Sequence, residues 1–175
     1  MVLPTAFKEG TLILTTRAYI PIETLKCGDR VRTLFNDFVT VHSIAVQEIH
    51  HTLQNEKEDK LYVCRNEAYS RDSLKHDLVV TGGQPLLVTQ ASMEGFLCFT
   101  PESQTTLRLP SVIDNHYRLP VCADPRAKTY PVEGIYRVFL VALESEDPDK
   151  TYGFYVNGGF PVESCSQRYL QEWSK

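Results

Sequence analysis

The sequence predicts an all-β domain built from many short strands, and three observations carry that expectation. Apolar and polar residues alternate in one run after another, the period-two signature of half-buried strands. Turn chemistry separates the runs: Cys27-Gly28-Asp29, Gly82-Gly83, Asp147-Pro148-Asp149 and Asn157-Gly158-Gly159. At 175 residues the chain reads as one domain, long enough to bury roughly 70% of its unfolded surface without staples.

In chain order, TLILTT (11–16) is a short β-branched run, DRVRTL (29–34) alternates charge with apolar residues, and FVTVHSIAVQEI (38–49) is long, with Val39, Val41 and Ala45 expected on one face. DKLYVCR (59–65), DLVVT (77–81), PLLVTQ (85–90), GIYRVFLVALES (134–145) and YGFYVNGG (152–159) follow. Two segments break the pattern. PIETLKCG (21–28) spaces Ile22 and Leu25 three apart and closes on Gly28, which predicts one or two helical turns. The tail SCSQRYLQEWSK (164–175) predicts a short helix starting at Ser164 or Ser166, with Tyr169, Leu170 and Trp173 on one side; so short a helix needs a packing partner. Four prolines (Pro110, Pro120, Pro125, Pro131) mark 102–131 as a loop or small insertion. The chain therefore divides into a stub (1–5), a domain (6–165) with a loop excursion at 102–131, and a tail (166–175).

Composition excludes several function classes. The chain is 42% hydrophobic and 23% charged with a net charge of −4, so it has no electrostatic footprint for nucleic acid or an anionic membrane. The charge-dense NEKEDK (55–60) reads as a solvated hairpin tip. No apolar run approaches the roughly 20 residues that cross a bilayer, and MVLPTAFKEG is too short and interrupted for a signal peptide. An intracellular, cytoplasmic protein is expected. The five cysteines (Cys27, Cys64, Cys98, Cys122, Cys165) are odd in number and contain no C-x-x-C, so neither a disulfide framework nor a zinc site is indicated. His50 and His51 are neighbours in a strand and point to opposite faces, which does not make a metal site. Gly82-Gly83 lacks the Lys-Ser/Thr and the helix of a phosphate cradle. No metal or cofactor is expected.

Three blocks then carry a resemblance. Phe7, Gly10-Thr11, Ile22-Glu23, Leu25 and Gly28-Asp29-Arg30-Val31 occupy the places of a pattern that runs Cys or Ser, aromatic, Gly-Thr, strand, then hydrophobic-Ile-Glu-x-Leu-x-x-Gly-Asp-x-Val. SLKHDLVVTGGQPLLV (73–88) is similar to a strand followed by Thr-x-x-His and a second strand, and VFLVALESEDPDKTYGFYVNGGFPVESC (138–165) is similar to a closing pair of strands. Together they resemble the Hint fold of Hedgehog autoprocessing domains and inteins. GGFPVES and HDLVVT are similar to stand-alone bacterial Hint domains in particular. The resemblance implies a compact, flattened β horseshoe whose ends bring residues 6 and 165 to one centre.

The resemblance also implies a self-processing site, and the residues here depart from it. Ala6 stands where the first nucleophile belongs, and a methyl group attacks nothing. Thr81 is retained. Gln84 replaces a His and cannot transfer a proton near neutral pH. Leu140 stands for an Asp and Tyr152 for a His. Glu163 and Ser164 replace His-Asn, and Ser cannot cyclise as Asn does. Cys165 remains where a downstream nucleophile sits. Groups in such sets act as a unit, so their losses compound, and splicing would join only the short segments outside 6–165.

The expectation is a catalytically inactive domain acting as a structural or protein-interaction module, a subunit of a larger assembly, with a protein partner or self-assembly. Apolar residues to watch for docking are Leu34, Phe35, Phe38, Tyr169, Leu170 and Trp173. The alternative is a self-cleaving protein in which Cys165 attacks the Thr5 carbonyl, helped by Thr81 and Gln84. A hydrolase that acts on other chains needs a base within reach of Cys165, with His76 or His116 as candidates.

Overall fold

The computed structural model describes residues 5–69, 76–89 and 112–173. Among them the chain forms fourteen strands and one α-helix. The first strands are β1 (Phe7–Lys8), β2 (Leu12–Leu14), β3 (Tyr19–Pro21), β4 (Arg30–Arg32) and the long β5 (Phe38–His51). Then come β6 (Leu61–Cys64), β7 (Leu78–Thr81), β8 (Pro85–Val88), β9 (Val112–Ile113), β10 (His116–Pro120) and β11 (Lys128–Thr129). The last are β12 (Gly134–Leu143), β13 (Gly153–Val156) and β14 (Phe160–Glu163), followed by helix α1 (Gln167–Trp173). They make two curled seven-stranded sheets, ordered β11-β6-β7-β1-β12-β5-β4 and β3-β2-β13-β14-β8-β10-β9. No described helix is long and apolar enough to cross a membrane.

The turn residues act as their chemistry requires. Gly28 has φ +94°, which a side chain resists. It lets the Gly28 N–H reach the Val41 carbonyl at 3.0 Å while Asp29 Oδ2 accepts the Lys26 N–H at 2.9 Å. Asn157 (φ 51°) starts the β13–β14 turn, accepts the Leu12 N–H at 2.7 Å and donates to the Asp77 carbonyl at 2.9 Å. Gly82 is needed for space: a Cβ there would overlap the Lys57 carbonyl and crowd the Tyr62 ring.

The β5–β12 ribbon is the backbone of the fold, and its two faces feed two separate cores. Phe139, Val141 and Leu143 enter the main core with Phe7, Phe154 and Val156. The Phe7 and Phe154 rings meet edge to face at 5.8 Å, worth about 1 kcal/mol beyond burial. Val138, Leu140 and Ala142 point the other way, into a second core with Ala6, Ile49, Leu61, Cys165 and Leu170. Ala6 and Phe7 thus stand on opposite sides of β1.

Three sequence expectations need correction. Val39, Val41 and Ala45 do not share a face: Val39 and Val41 join the main core and Ala45 the second. The cause is a register shift, since Ala142 pairs with Ser43 but Leu143 with Val41, which leaves His42 extra and reverses the alternation. The helical turn expected in 21–28 is present, as a 3-10 turn at Ile22–Thr24. Residues 112–131, expected within the loop excursion, are built into both sheets. There β10 pairs with β8 (Arg118↔Leu87, Leu119↔Leu86) and β11 with β6, and Pro120 closes its strand without interrupting it. Residues 102–111 lie outside the described residues. Finally, α1 buries Leu170 and Gln167 and leaves Tyr169 38% exposed. The expected start is there: Ser166 Oγ accepts the Tyr169 N–H at 3.1 Å, as an N-cap does.

The other expected features are placed as follows. The NEKEDK segment connects β5 to β6. His50 is exposed and His51 fully buried, where its Nδ1 accepts the Leu61 N–H at 3.0 Å and its Nε2 bonds the Tyr130 carbonyl at 2.8 Å. In the 34–38 patch Leu34 packs against Gly153, Phe38 is half-buried and Phe35 stands 60% exposed.

Candidate functional site

The second core is where the two ends of the domain meet. Strand β1 lies between β7 and β12, and its entry residue Ala6 is completely buried. The Ala6 N–H donates to Thr81 Oγ1 at 3.0 Å, and the Thr81 N–H donates back to the Ala6 carbonyl at 3.0 Å. From the other side comes Cys165, bridged to Ala142 with its N–H on the Val141 carbonyl at 2.9 Å. Its Sγ stands 3.7 Å from the Thr5 carbonyl oxygen and 3.4 Å from Thr5 Oγ1. The Thr5–Ala6 peptide is therefore clasped between the Thr81 hydroxyl and the Cys165 thiol.

Gln84 is fully buried one turn beyond Thr81. Its Nε2 donates to the carbonyls of Glu163 at 3.0 Å and Pro85 at 3.1 Å, so it ties the start of β8 to the end of β14. Its Oε1 is buried and has no donor among the described residues. Ser164 Oγ accepts the Tyr152 N–H at 3.0 Å and donates to the Cys165 carbonyl at 3.1 Å. Tyr152 is half-buried against the main core, its hydroxyl donating to the Glu144 carbonyl at 3.1 Å.

Glu163 is 7% exposed. Its carboxylate takes the Arg118 Nε at 2.8 and 2.9 Å, the other guanidinium nitrogen at 2.8 Å and the Thr151 hydroxyl at 2.6 Å. Sequence reasoning missed Arg118 and Thr151. A signal was present: Arg118 is the one cation in the strand HYRLP, and a buried carboxylate requires a partner.

Leu140, Ala142 and Leu170 complete the wall around Ala6 and Cys165. This burial pushes the Cys165 thiol up to about 11, against the pull of Thr5, so the sulfur is a neutral thiol at physiological pH. His116 Nδ1 is engaged by the Asp114 carbonyl at 2.7 Å, and His76 lines a surface cleft with Lys8 and Asp77. Neither is hydrogen-bonded to Cys165 among the described residues.

The sequence profile of the Hint domain family matches residues 5–108. The chain belongs to the Hint domain family. The solution structure of a bacterial intein-like domain from Clostridium thermocellum is 17% identical, covers 94% of this chain and 100% of its own, and superposes with a TM-score of 0.52. That likeness shows the shared fold. A DnaB intein from Synechocystis sp. PCC 6803 aligns at 10% identity over 92% of this chain and 99% of its own, with a TM-score of 0.48. No curated protein matches the sequence. In this Hint domain the positions singled out from the sequence divide into two groups. Ala6, Thr81, Leu140 and Cys165 surround one peptide bond; Gln84, Glu163 and Ser164 tie strand ends together beside it.

Proposed function

We propose that this Hint domain is a non-catalytic scaffold that holds its two ends together and acts through its surface, as a protein-interaction module or a subunit of a larger assembly. The observation that carries the reading is the apolar filling of the second core. Ala6, Leu140, Ala142 and Leu170 pack in the core around the Thr5–Ala6 peptide, and the thiol that reaches it, Cys165, is neutral and buried. Amide cleavage needs a nucleophile and a proton for the departing amine. Thr81 contacts the Ala6 N–H but has no proton to spare near neutral pH.

A second reading rests on one distance, the 3.7 Å from Cys165 Sγ to the Thr5 carbonyl oxygen. In it the thiolate adds to the Thr5 carbonyl carbon, the Thr5–Ala6 C–N bond breaks, the Ala6 nitrogen takes up a proton and a thioester forms. It requires a thiol that ionises easily.

Alkylation with iodoacetamide across pH, with the Cys165 adduct followed by peptide mass spectrometry, separates the two. The scaffold reading expects Cys165 to be inert at neutral pH and to react only as pH approaches about 11. A Cys165 rate that titrates below the ordinary thiol value of ~8.5 favours cleavage. Stability changes with the same sign. Cys165 at about 11 and Cys64 at about 12, both raised by burial, are protonated when folded, so their contribution is complete below about 9 and is lost as pH rises through the folded values.

A further inference from the structure

Helix α1 begins two residues beyond Cys165 and lies against β5 and β12. Its inward face is a narrow stripe at every third position: Gln167 and Leu170 are buried and Trp173 half-buried, while Arg168, Tyr169, Gln171 and Glu172 face solvent. Leu170 is 4% exposed and shares the second core with Ala6, Leu140 and Cys165. The helix therefore lies between that core and solvent. Tyr169 reports how near it comes to the sulfur, since its hydroxyl is pushed up first by burial and then by Cys165.

Little holds α1 in this place. Gln167 Nε2 donates to the Ser145 carbonyl at 2.9 Å and to the Leu143 carbonyl at 3.3 Å, and the Arg168 N–H donates to the Pro148 carbonyl at 2.9 Å. Arg168 Nε meets Asp149 Oδ1 at 3.1 Å, but both side chains are more than half exposed, and such pairs add little. Seven residues are far fewer than the roughly 12–15 at which an isolated helix becomes even marginal, so α1 stays helical only while Leu170 is seated. Cys64 makes the contrast. It is fully buried in the main core, on a strand hydrogen-bonded on both sides, to β7 and to β11. One buried thiol is covered by paired sheet and the other by a short helix, and weakly held elements open locally before the domain unfolds.

We propose that α1 is a lid on the Thr5–Cys165 site, latched by Leu170, which opens while both sheets stay folded. Closed, it keeps water and reagents from the sulfur. Open, it uncovers the thiol where it stands, because the Cys165 N–H remains on the Val141 carbonyl, and with burial gone the thiol regains ordinary acidity. The silence of the site is then conditional on the lid. Mass of the intact chain tests whether the site cleaves; the lid is tested by how the two buried thiols differ, so either idea can fail alone.

The experiment is iodoacetamide labelling at mildly alkaline pH, with the Cys64 and Cys165 adducts followed separately by peptide mass spectrometry. Leu170→Ala removes the latch but keeps a strong helix former. Both thiols of wild type are expected to label slowly. L170A is expected to label Cys165 about tenfold faster or more, with Cys64 and the circular dichroism spectrum unchanged. Leu170→Met, close in volume, restores the slow rate. A Cys165 rate that L170A leaves unchanged, or that rises only in step with Cys64, overturns the proposal, since the sulfur is then uncovered only by unfolding of the whole domain. Should L170A fail to fold, wild type in urea below the global transition decides: Cys165 labelled ahead of Cys64, as the Leu170 amide loses its hydrogen-exchange protection, supports the lid, and simultaneous labelling overturns it.

Discussion

Arg118→Ala is expected to destabilise the domain by about 3 kcal/mol, because it leaves a buried carboxylate without its cation. Glu163 is 7% exposed and takes three guanidinium contacts plus the Thr151 hydroxyl. After the substitution only Thr151 remains, one hydrogen bond against the desolvation of a full charge. Urea unfolding of wild type and variant measures the difference, with the slope unchanged if only stability moves. Replacing both partners by apolar residues, Arg118→Met with Glu163→Leu, is expected to recover most of the loss, since two matched apolar groups carry no stranded charge. A single variant within about 0.5 kcal/mol of wild type, as for exposed pairs, contradicts the buried geometry. The pair ties β10 to β14, two strands that flank β8, and so holds in place the chain end that leads into Cys165.

Leu140→Ala carries the second large effect, also about 3 kcal/mol, from lost burial and the cavity left behind. Leu140 is completely buried among Ala6, Cys165, Ala142 and Leu170. Its removal opens space against the thiol as well as weakening the core. Two readouts are therefore expected to move together: a lower unfolding midpoint, and faster iodoacetamide labelling of Cys165 under conditions where the variant is fully folded. Unchanged labelling with lost stability would mean that Leu140 packs the core without sealing the sulfur. Unchanged stability would mean that the site is already loose in solution.

What the sequence revealed was local chemistry. Gly28, Asn157 and Gly158-Gly159 are turn residues by conformational preference alone, and the turns are where expected with positive φ. The alternation of β5 and β12 was equally readable, but the bulge at His42 was not, because one extra residue leaves no mark on hydrophobicity and yet moves Ala45 to the opposite core. Prolines misled at 112–131: Pro120 ends a strand whose preceding residues pair normally. In α1 three bulky residues in five positions suggested one buried face, but a seven-residue helix resting on Leu170 turns Tyr169 outward.

The meeting of Ala6 with Cys165 is separated by most of the chain, so no periodicity reports it; only the family resemblance placed them at one centre. Their contacts still had to come from the structure. Thr81 was expected to retain a usable hydroxyl, and it does bind the Ala6 N–H. Glu163 was grouped with the site on position alone, and its carboxylate instead faces Arg118. Burial of a charge is settled by a partner distant in sequence, which local reasoning does not supply.

A Hint domain whose site does no chemistry keeps its intact mass. Freshly purified protein is incubated for a day, with and without dithiothreitol and hydroxylamine, both of which intercept a thioester. A single species at 19.9 kDa is expected in every condition. Loss of the first five residues, or of the tail from Cys165 onward, would contradict it, and abolition of that loss by Cys165→Ala would assign the chemistry to the buried thiol.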